Sequence, residues 1–276
     1  MTSWTTNDPS AYTDLDQAPI WCSFMGVQCG TDSSSADYRR VYSISLHNRR
    51  LEGCLTPISK LTSMRHFSVS GNKIVGSIPQ SFLNMRRMKH LYLNNNQLTG
   101  SIPLGLNLKQ DFFDGLHTLS LDSNRLEGNI PERLNIFYGR FLNLSGNSLV
   151  GTIPSTFGNM PWIVTLSLDS NSLTGTIPST LRRLMNLEEL DLGNNLLSGT
   201  IPVLDQISLQ DIDLSANHIT MGSLKAVPLS TFSASALAMD IDLRSNCLVF
   251  RNPSKPIQDA SATHCGGKRI LPHSYC

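Results

Sequence analysis

From Val41 onward the chain repeats one short pattern of apolar and polar positions. Three aliphatic columns recur. The first is Ile44, Phe67, Leu91, Leu119, Leu142, Leu166, Leu190, Ile212 and Ile241. The second is Leu46, Val69, Leu93, Leu121, Leu144, Leu168, Leu192, Leu214 and Leu243. The third is Leu51, Ile74, Leu98, Leu126, Leu149, Leu173, Leu197, Ile219 and Leu248. One polar position separates the first two columns, which is the period-2 alternation of a half-buried strand. A single such strand cannot bury its apolar side, but stacked copies can. The pattern predicts a solenoid of about nine coils. Strands about 4.8 Å apart make it on the order of 40 Å long.

An asparagine sits between the second and third columns, at Asn72, Asn96, Asn124, Asn147, Asn171, Asn195, Asn217 and Asn246, with Arg49 in the equivalent place of the first coil. In an otherwise apolar row it must be buried, and a buried amide must fill its donors and its acceptor. Facing the backbone of its own and neighbouring coils would do so, which makes this column structural. Gly-x-Ile-Pro follows in six coils, from Gly76/Pro79 to Gly199/Pro202. Glycine accepts a positive φ and proline fixes a turn, so this segment reads as the corner of each coil.

The positions flanking the first column point away from the core and form a face on which a partner can be recognised without disturbing the scaffold. Its first half carries Arg65, Lys89 and Arg140 with His47, His66, His90 and His117; its last coils carry Glu188, Glu189, Asp191, Asp211, Asp213, Asp240 and Asp242. Tyr92 and Phe141 are the aromatic anchor candidates, each beside basic groups, and Trp162 is a further one. The candidate binding set is therefore Arg65, His66, Lys89, His90, Tyr92, His117, Arg140 and Phe141 at the basic end, with Glu189, Asp191 and Asp213 at the acidic end. An inward-turned Phe141 is the competing reading, because its coil is one residue short and has Gly139 in place of an aliphatic. The histidines, titrating near 6.5 when unperturbed, predict a pH-sensitive patch. Asn143-Leu144-Ser145 is a glycosylation sequon, and a glycan on Asn143 would cover part of this face. Extra residues at 107–113 lengthen one coil, and insertions in repeats map to loops.

Composition narrows the function. The 276-residue chain is 40% hydrophobic and 16% charged, with net charge +1, which gives no general electrostatic case for nucleic acid. No apolar run is long enough to span a bilayer. The opening Met1-Thr2-Ser3-Trp4 is not a basic segment followed by an apolar one, so no signal peptide is legible. Six cysteines lie at Cys22, Cys29, Cys54, Cys247, Cys265 and Cys276, without metal-ligand spacing. The carboxylates are spread over a flat sheet, unlike a calcium cage or a glycosidase cleft. No HExxH, GxSxG or phosphate-loop motif occurs. The reading is therefore non-catalytic, with neither cofactor nor metal.

The consensus LxxLxLxxNxLxGxIP resembles the plant-type leucine-rich repeat, well over residues 41–202 and more loosely over residues 209–248. The segment "SWTTNDPSAYTDLDQAPIWCSFMGVQC" resembles the N-terminal cap of that family, with Phe24 where the family has tryptophan. The resemblance implies an α/β solenoid, a right-handed superhelix with a parallel sheet on its concave side. It implies residues 1–40 as the N-terminal cap, 41–248 as repeats and 249–276 as a C-terminal cap or tail. Cys22 and Cys29 match the paired cap cysteines. Cys247 could pair with Cys265, while Cys54 either pairs with Cys276 or is a small half-buried residue. The family's cap has a helix and a signal peptide before the Ser-Trp at which this chain starts. The implied role is extracellular or cell-surface recognition of a protein, a peptide or a glycan by a monomer or a ligand-induced complex. An inhibitor of a secreted carbohydrate-degrading enzyme and an intracellular scaffold are the alternatives.

Overall fold

A computed structural model of the chain describes residues 22, 24–31, 39–55, 61, 63–80, 82, 87–103, 116–132, 134, 139–204, 208–220 and 240–242. Its strands, in chain order, are β1 (Val27–Thr31), β2 (Arg39–Ser45), β3 (Glu52–Cys54), β4 (His66–Ser68), β5 (Lys73–Ser77) and β6 (His90–Tyr92). There follow β7 (Gln97–Gly100), β8 (Thr118–Ser120), β9 (Arg125–Asn129), β10 (Phe141–Asn143), β11 (Ser148–Thr152) and β12 (Thr165–Ser167). The last are β13 (Ser172–Thr174), β14 (Glu189–Asp191), β15 (Ser198–Thr200), β16 (Asp211–Asp213), β17 (His218–Thr220) and β18 (Asp240–Asp242).

The main sheet has ten strands in the order β1-β2-β4-β6-β8-β10-β12-β14-β16-β18. β1 pairs antiparallel with β2, and every later pairing is parallel. Residues one repeat apart stand side by side, as in Leu142 against Leu119 and Leu166. Leu91, Leu119, Leu142, Leu166, Leu190 and Ile212 are all buried. Each such side chain contributes about 2 kcal/mol. The parallel solenoid that the aliphatic columns predict is therefore present. β1 covers the open edge of the first coil, and Cys22 and Cys29 are joined by a disulfide with Cα atoms 5.6 Å apart. The segment holding Cys247, Cys265 and Cys276 lies outside the described residues, as do residues 107–113.

The described asparagines are bonded as their setting demands; Asn72, Asn96, Asn195 and Asn217 are buried, and Asn124, Asn147 and Asn171 are half-buried. Asn195 Nδ2 lies 3.0 Å from Leu168 O of the preceding coil, and 3.1 Å from Leu192 O and Gly193 O of its own. Its Oδ1 accepts from Leu173 N at 2.9 Å. Asn96, Asn124, Asn147, Asn171 and Asn217 repeat the arrangement. Among the described residues no buried side-chain nitrogen or oxygen lacks a partner.

Two features differ from the sequence reading. The Gly-x-Ile-Pro glycine is not at a corner. At Gly76, Gly100, Gly128 and Gly151 it lies in a second, six-stranded parallel sheet, β13-β11-β9-β7-β5-β3, on the flank of the solenoid, and Gly199 lies in the separate two-stranded sheet β15-β17. Its φ is positive there, +79° at Gly128, so the flank strands kink at that residue. The corner comes three residues later, at the proline. The helical share of the α/β class is also small. The helices described are 3-10, at Ser155–Asn159 and Ser179–Arg183, each starting directly after its proline. A coil of some 24 residues that already forms two strands leaves room for only a short, tightly wound return. The result is a parallel-sheet β-solenoid with almost no helix.

A candidate recognition surface on the main sheet

The outward face of the main sheet has three columns, and backbone pairing sets their register. The first is laid down by a chain of amide bonds: Arg65 N to Tyr42 O, Lys89 N to Arg65 O, His117 N to Lys89 O, Arg140 N to His117 O, Val164 N to Arg140 O, Glu188 N to Val164 O and Gln210 N to Glu188 O, at 2.7–2.8 Å each. The second runs Ser43, His66, His90, Thr118, Phe141, Thr165, Glu189, Asp211, Asp240. The third runs Ser45, Ser68, Tyr92, Ser120, Asn143, Ser167, Asp191, Asp213, Asp242 by the same pairings. These are the columns read from the sequence, so the candidate residues do share one face. Phe141 lies 45% exposed in the second column, which answers the inward-turned alternative. Trp162 is also exposed, but it sits in the turn before β12, off the three columns.

At the basic end the rings gather. His66 and His90 lie on adjacent strands with centroids 6.0 Å apart, and His90 meets His117 edge-on at 5.8 Å. Tyr92 lies 5.6 Å from His66 and stacks nearly parallel to His90 at 6.5 Å. His90 Nδ1 is 3.2 Å from Thr118 Oγ1. Arg65 and Arg140 are exposed, and Lys89 is half-buried. Mutual packing has a cost for the imidazoles. Burial lowers the pKa of His66, and burial followed by the positive groups His66, His117 and Lys89 lowers that of His90. These two rings therefore do not titrate near 6.5 as expected of unperturbed histidines. The neutral form of both rings persists to lower pH, beside the cations Arg65, Lys89 and Arg140. Among the described residues no three His, Cys, Asp or Glu side chains converge as metal ligands do.

At the acidic end Glu188, Glu189, Asp191, Asp211 and Asp213 stand on neighbouring strands, with Asp169 beside them at the end of β12. Asp191 has a structural task that the sequence reading missed. Its Oδ1 accepts from Gly193 N at 3.0 Å, and Asp213 does the same for Ser215 N at 2.7 Å. Asn143 occupies the equivalent place, accepting from Ser145 N at 3.0 Å and from Ser145 Oγ at 2.7 Å. The sequon amide is thus a turn-forming group on a strand of the sheet. The signal was a short polar residue two places before the turn, a spacing that favours this local bond.

Burial pushes the Asp191 carboxyl up to about 6, and Asp169, Asp213 and Asp211 reinforce the rise against the lowering by Gly193 N–H. The unfolded chain releases this proton near 3.8. Between those values the folded state holds more protons than the unfolded one, so stability falls as pH rises from about 4 to 6 and is level above. Asp191→Asn keeps the acceptor for Gly193 N–H and removes the charge. The variant is expected to be more stable than the native chain by about 1 kcal/mol at pH 7.5, after allowing for solvent screening of the half-buried group. At pH 4 the difference is expected to vanish. Denaturant midpoints at the two pH values check this.

Comparison with known proteins agrees with this architecture. The leucine rich repeat family matches residues 63–85, 87–108, 140–197 and 161–219. A curated relative from Arabidopsis thaliana, the leucine-rich repeat receptor-like tyrosine-protein kinase PXC3, is 35% identical over 65 residues, which are 24% of this chain and 7% of the relative. Among solved structures, the ectodomain of the Arabidopsis receptor kinase HAESA, in complex with an N-terminally extended IDA peptide hormone, is 31% identical with a TM-score of 0.69. That match covers 82% of this chain and 37% of the receptor chain. The ectodomain of the Arabidopsis receptor kinase GASSHO1/SCHENGEN3, in complex with CASPARIAN STRIP INTEGRITY FACTOR 2, is 30% identical with a TM-score of 0.59 over 83% of this chain and 32% of that one. The chain thus spans about a third of these two receptor ectodomains, and a small part of the curated kinase. Among the described residues no helix is long and apolar enough to cross a membrane.

Proposed function

Since this chain is a leucine-rich-repeat protein of the plant type, we propose that it is a non-catalytic extracellular or cell-surface recognition module that binds a peptide or protein segment across its main sheet. The observation that carries this reading is the ring array of His66, His90, His117 and Tyr92 beside Arg65, Lys89 and Arg140 on a sheet face that no other described element covers. Rigid amphipathic rings next to cations are the composition of recognition hot spots. The solved relatives HAESA and GASSHO1/SCHENGEN3 are receptor ectodomains in complex with a peptide hormone and an integrity factor. In this reading residues 1–40 form the N-terminal cap, 41–248 the repeats and 249–276 the C-terminal cap. The chain acts as a monomer that recruits partners through its ligand, with Cys22–Cys29 keeping the cap closed outside the cell. A glycan on Asn143 would restrict binding to the coils on either side of β10.

A photo-crosslinker tests the location. It is placed at position 92 on the main sheet, or at position 152 on the exposed flank sheet, and exposed to extracellular extract of the source organism. Adducts at position 92 that are absent at 152 are expected. Adducts at 152 alone would overturn the reading. Phe141→Ala is expected to leave stability within about 0.5 kcal/mol of native, because the ring is largely solvent-facing. Affinity for a crosslinked partner is expected to fall roughly tenfold. Titration of the purified pair, beside a denaturation curve, measures both.

A further inference from the structure

The sheet face is divided along its length into three zones. Lys89 and His90 stand at the start of β6, and the exposed Phe141 stands two strands on, at β10, with Arg140 directly before it as the last cation of the basic half; β14, two strands further, carries Glu189 and Asp191. Between Phe141 and the acids, β12 offers only Val164, Thr165 and Ser167. Asp122 follows β8 by two residues. It lies past the third column and accepts from Ser120 Oγ. Like charges on adjacent strands repel. Keeping Glu189 against Asp211, and Asp191 against Asp213, therefore disfavours the free chain. A partner of opposite charge relieves that repulsion.

We propose that the segment bound on this face is itself divided: an acidic residue, an apolar one about three positions on, and a basic one about three positions further, laid across the strands with its acidic end on β6 and its basic end on β14. The inference rests on the recognition reading above and specifies its ligand. Its spacing follows from geometry. Two strand steps of about 4.8 Å make roughly 10 Å, which an extended chain covers in about three residues at about 3.3 Å each. The apolar residue then meets Phe141, and the terminal charges meet their opposites. Charge segregation of this kind selects a partner and its register more than it adds affinity.

The probes are two blocked, fluorescein-labelled peptides of one composition. One is EDEGSLGSKRK, and the other carries the same residues with acids and bases alternating. Anisotropy titrations with the full chain at 50 and 150 mM salt are expected to favour the segregated peptide by tenfold or more. Lys89→Glu/Arg140→Glu and Glu189→Lys/Asp211→Lys are each expected to abolish that preference. Combining all four changes is expected to restore it, because the reversed face accepts the same peptide turned end for end. The recovery also shows that the variants are folded. Equal affinity for both peptides, with hydrogen-exchange protection on β4–β16, would overturn the divided ligand and leave the recognition surface standing. Protection confined to the flank strands would overturn both. Failure of either peptide to bind, or charge-dependent self-association of the chain in their place, would also overturn the divided ligand, while crosslinking at position 92 still judges the surface independently.

Discussion

Replacing Asn195 by alanine is expected to lower the unfolding free energy by about 4 kcal/mol, since several buried backbone groups lose their partner at once. Asn195 is 5% exposed. Its Oδ1 is a bonding partner of Leu173 N, and its Nδ2 serves carbonyls of two successive coils. Alanine leaves a buried N–H and a cavity that water cannot fill without disturbing the stack. Asn195→Asp is expected to be at least as damaging near neutral pH, because a carboxylate cannot donate to Leu168 O or Leu192 O. Ser172→Ala, on the exposed flank, serves as the control and is expected to stay within about 0.5 kcal/mol. A second measurement tests the ladder itself. Asn171 and Asn195 both donate to Leu168 O, at 3.1 and 3.0 Å. The two alanine substitutions should therefore couple, whereas Asn96→Ala, several coils away, should add independently to Asn195→Ala. An Asn195→Ala midpoint equal to that of Ser172→Ala would remove the column from the forces that hold the coils together.

That column was legible because a buried amide admits few solutions. A polar residue recurring in an apolar row has only the backbone to bond, and the backbone it finds is the one the repeat supplies. The register of the main sheet was legible for a related reason. A period-2 strand cannot slip by one residue without turning its apolar set outward, so Thr118, Phe141 and Thr165 stand in line as their spacing requires. Phe141 was ambiguous only because Gly139 shortens its coil, and pairing with both neighbours resolves it. The flank sheet was not seen, although Lys73-Ile74-Val75 has the same alternation as the main strands, with Lys73 and Val75 exposed and Ile74 buried. The neighbouring glycine and proline made the segment look like a turn, and composition outweighed period. Another repeated feature was hidden as well. Among the described residues, the one before each asparagine of the column has a left-handed φ, between +50° and +67°, whether it is Gly71, Asn95, Ser123 or Ala216. No common residue type marks that place, because the asparagine bonds on either side impose it. The ring array and the raised Asp191 pKa lie beyond any reading of one coil. They depend on burial in the stack and on side chains 20 or more residues apart in the chain that the sheet sets on adjacent strands.

Gly158 shows how the back of the solenoid constrains the front. By helix propensity alone, Gly158→Ala in the 3-10 helix Ser155–Asn159 should stabilise by up to about 1 kcal/mol. The structure reverses that sign. A methyl group on Gly158 would fall on the Thr180 carbonyl oxygen, 2.7 Å from the Thr180 Cβ and 2.8 Å from its carbonyl carbon. The adjoining helix Ser179–Arg183 would have to move as a body, and Thr180 Oγ1 would lose its 2.7 Å bond to Ser155 O. The main-sheet strands β12 and β14 cannot separate in compensation, since their ladder fixes their spacing. Only the back can open, which increases the local curvature and tilts the acidic coils toward Phe141. A net loss of about 2 kcal/mol is expected from overpacking against backbone. Thr180→Ala should not rescue it, because the obstructing atom is a main-chain oxygen. Unfolding midpoints for the single and double variants decide the matter. A Gly158→Ala chain as stable as the native one would mean that the coils can spread at the back without cost, and that the spacing of charges across the main sheet is not held from behind.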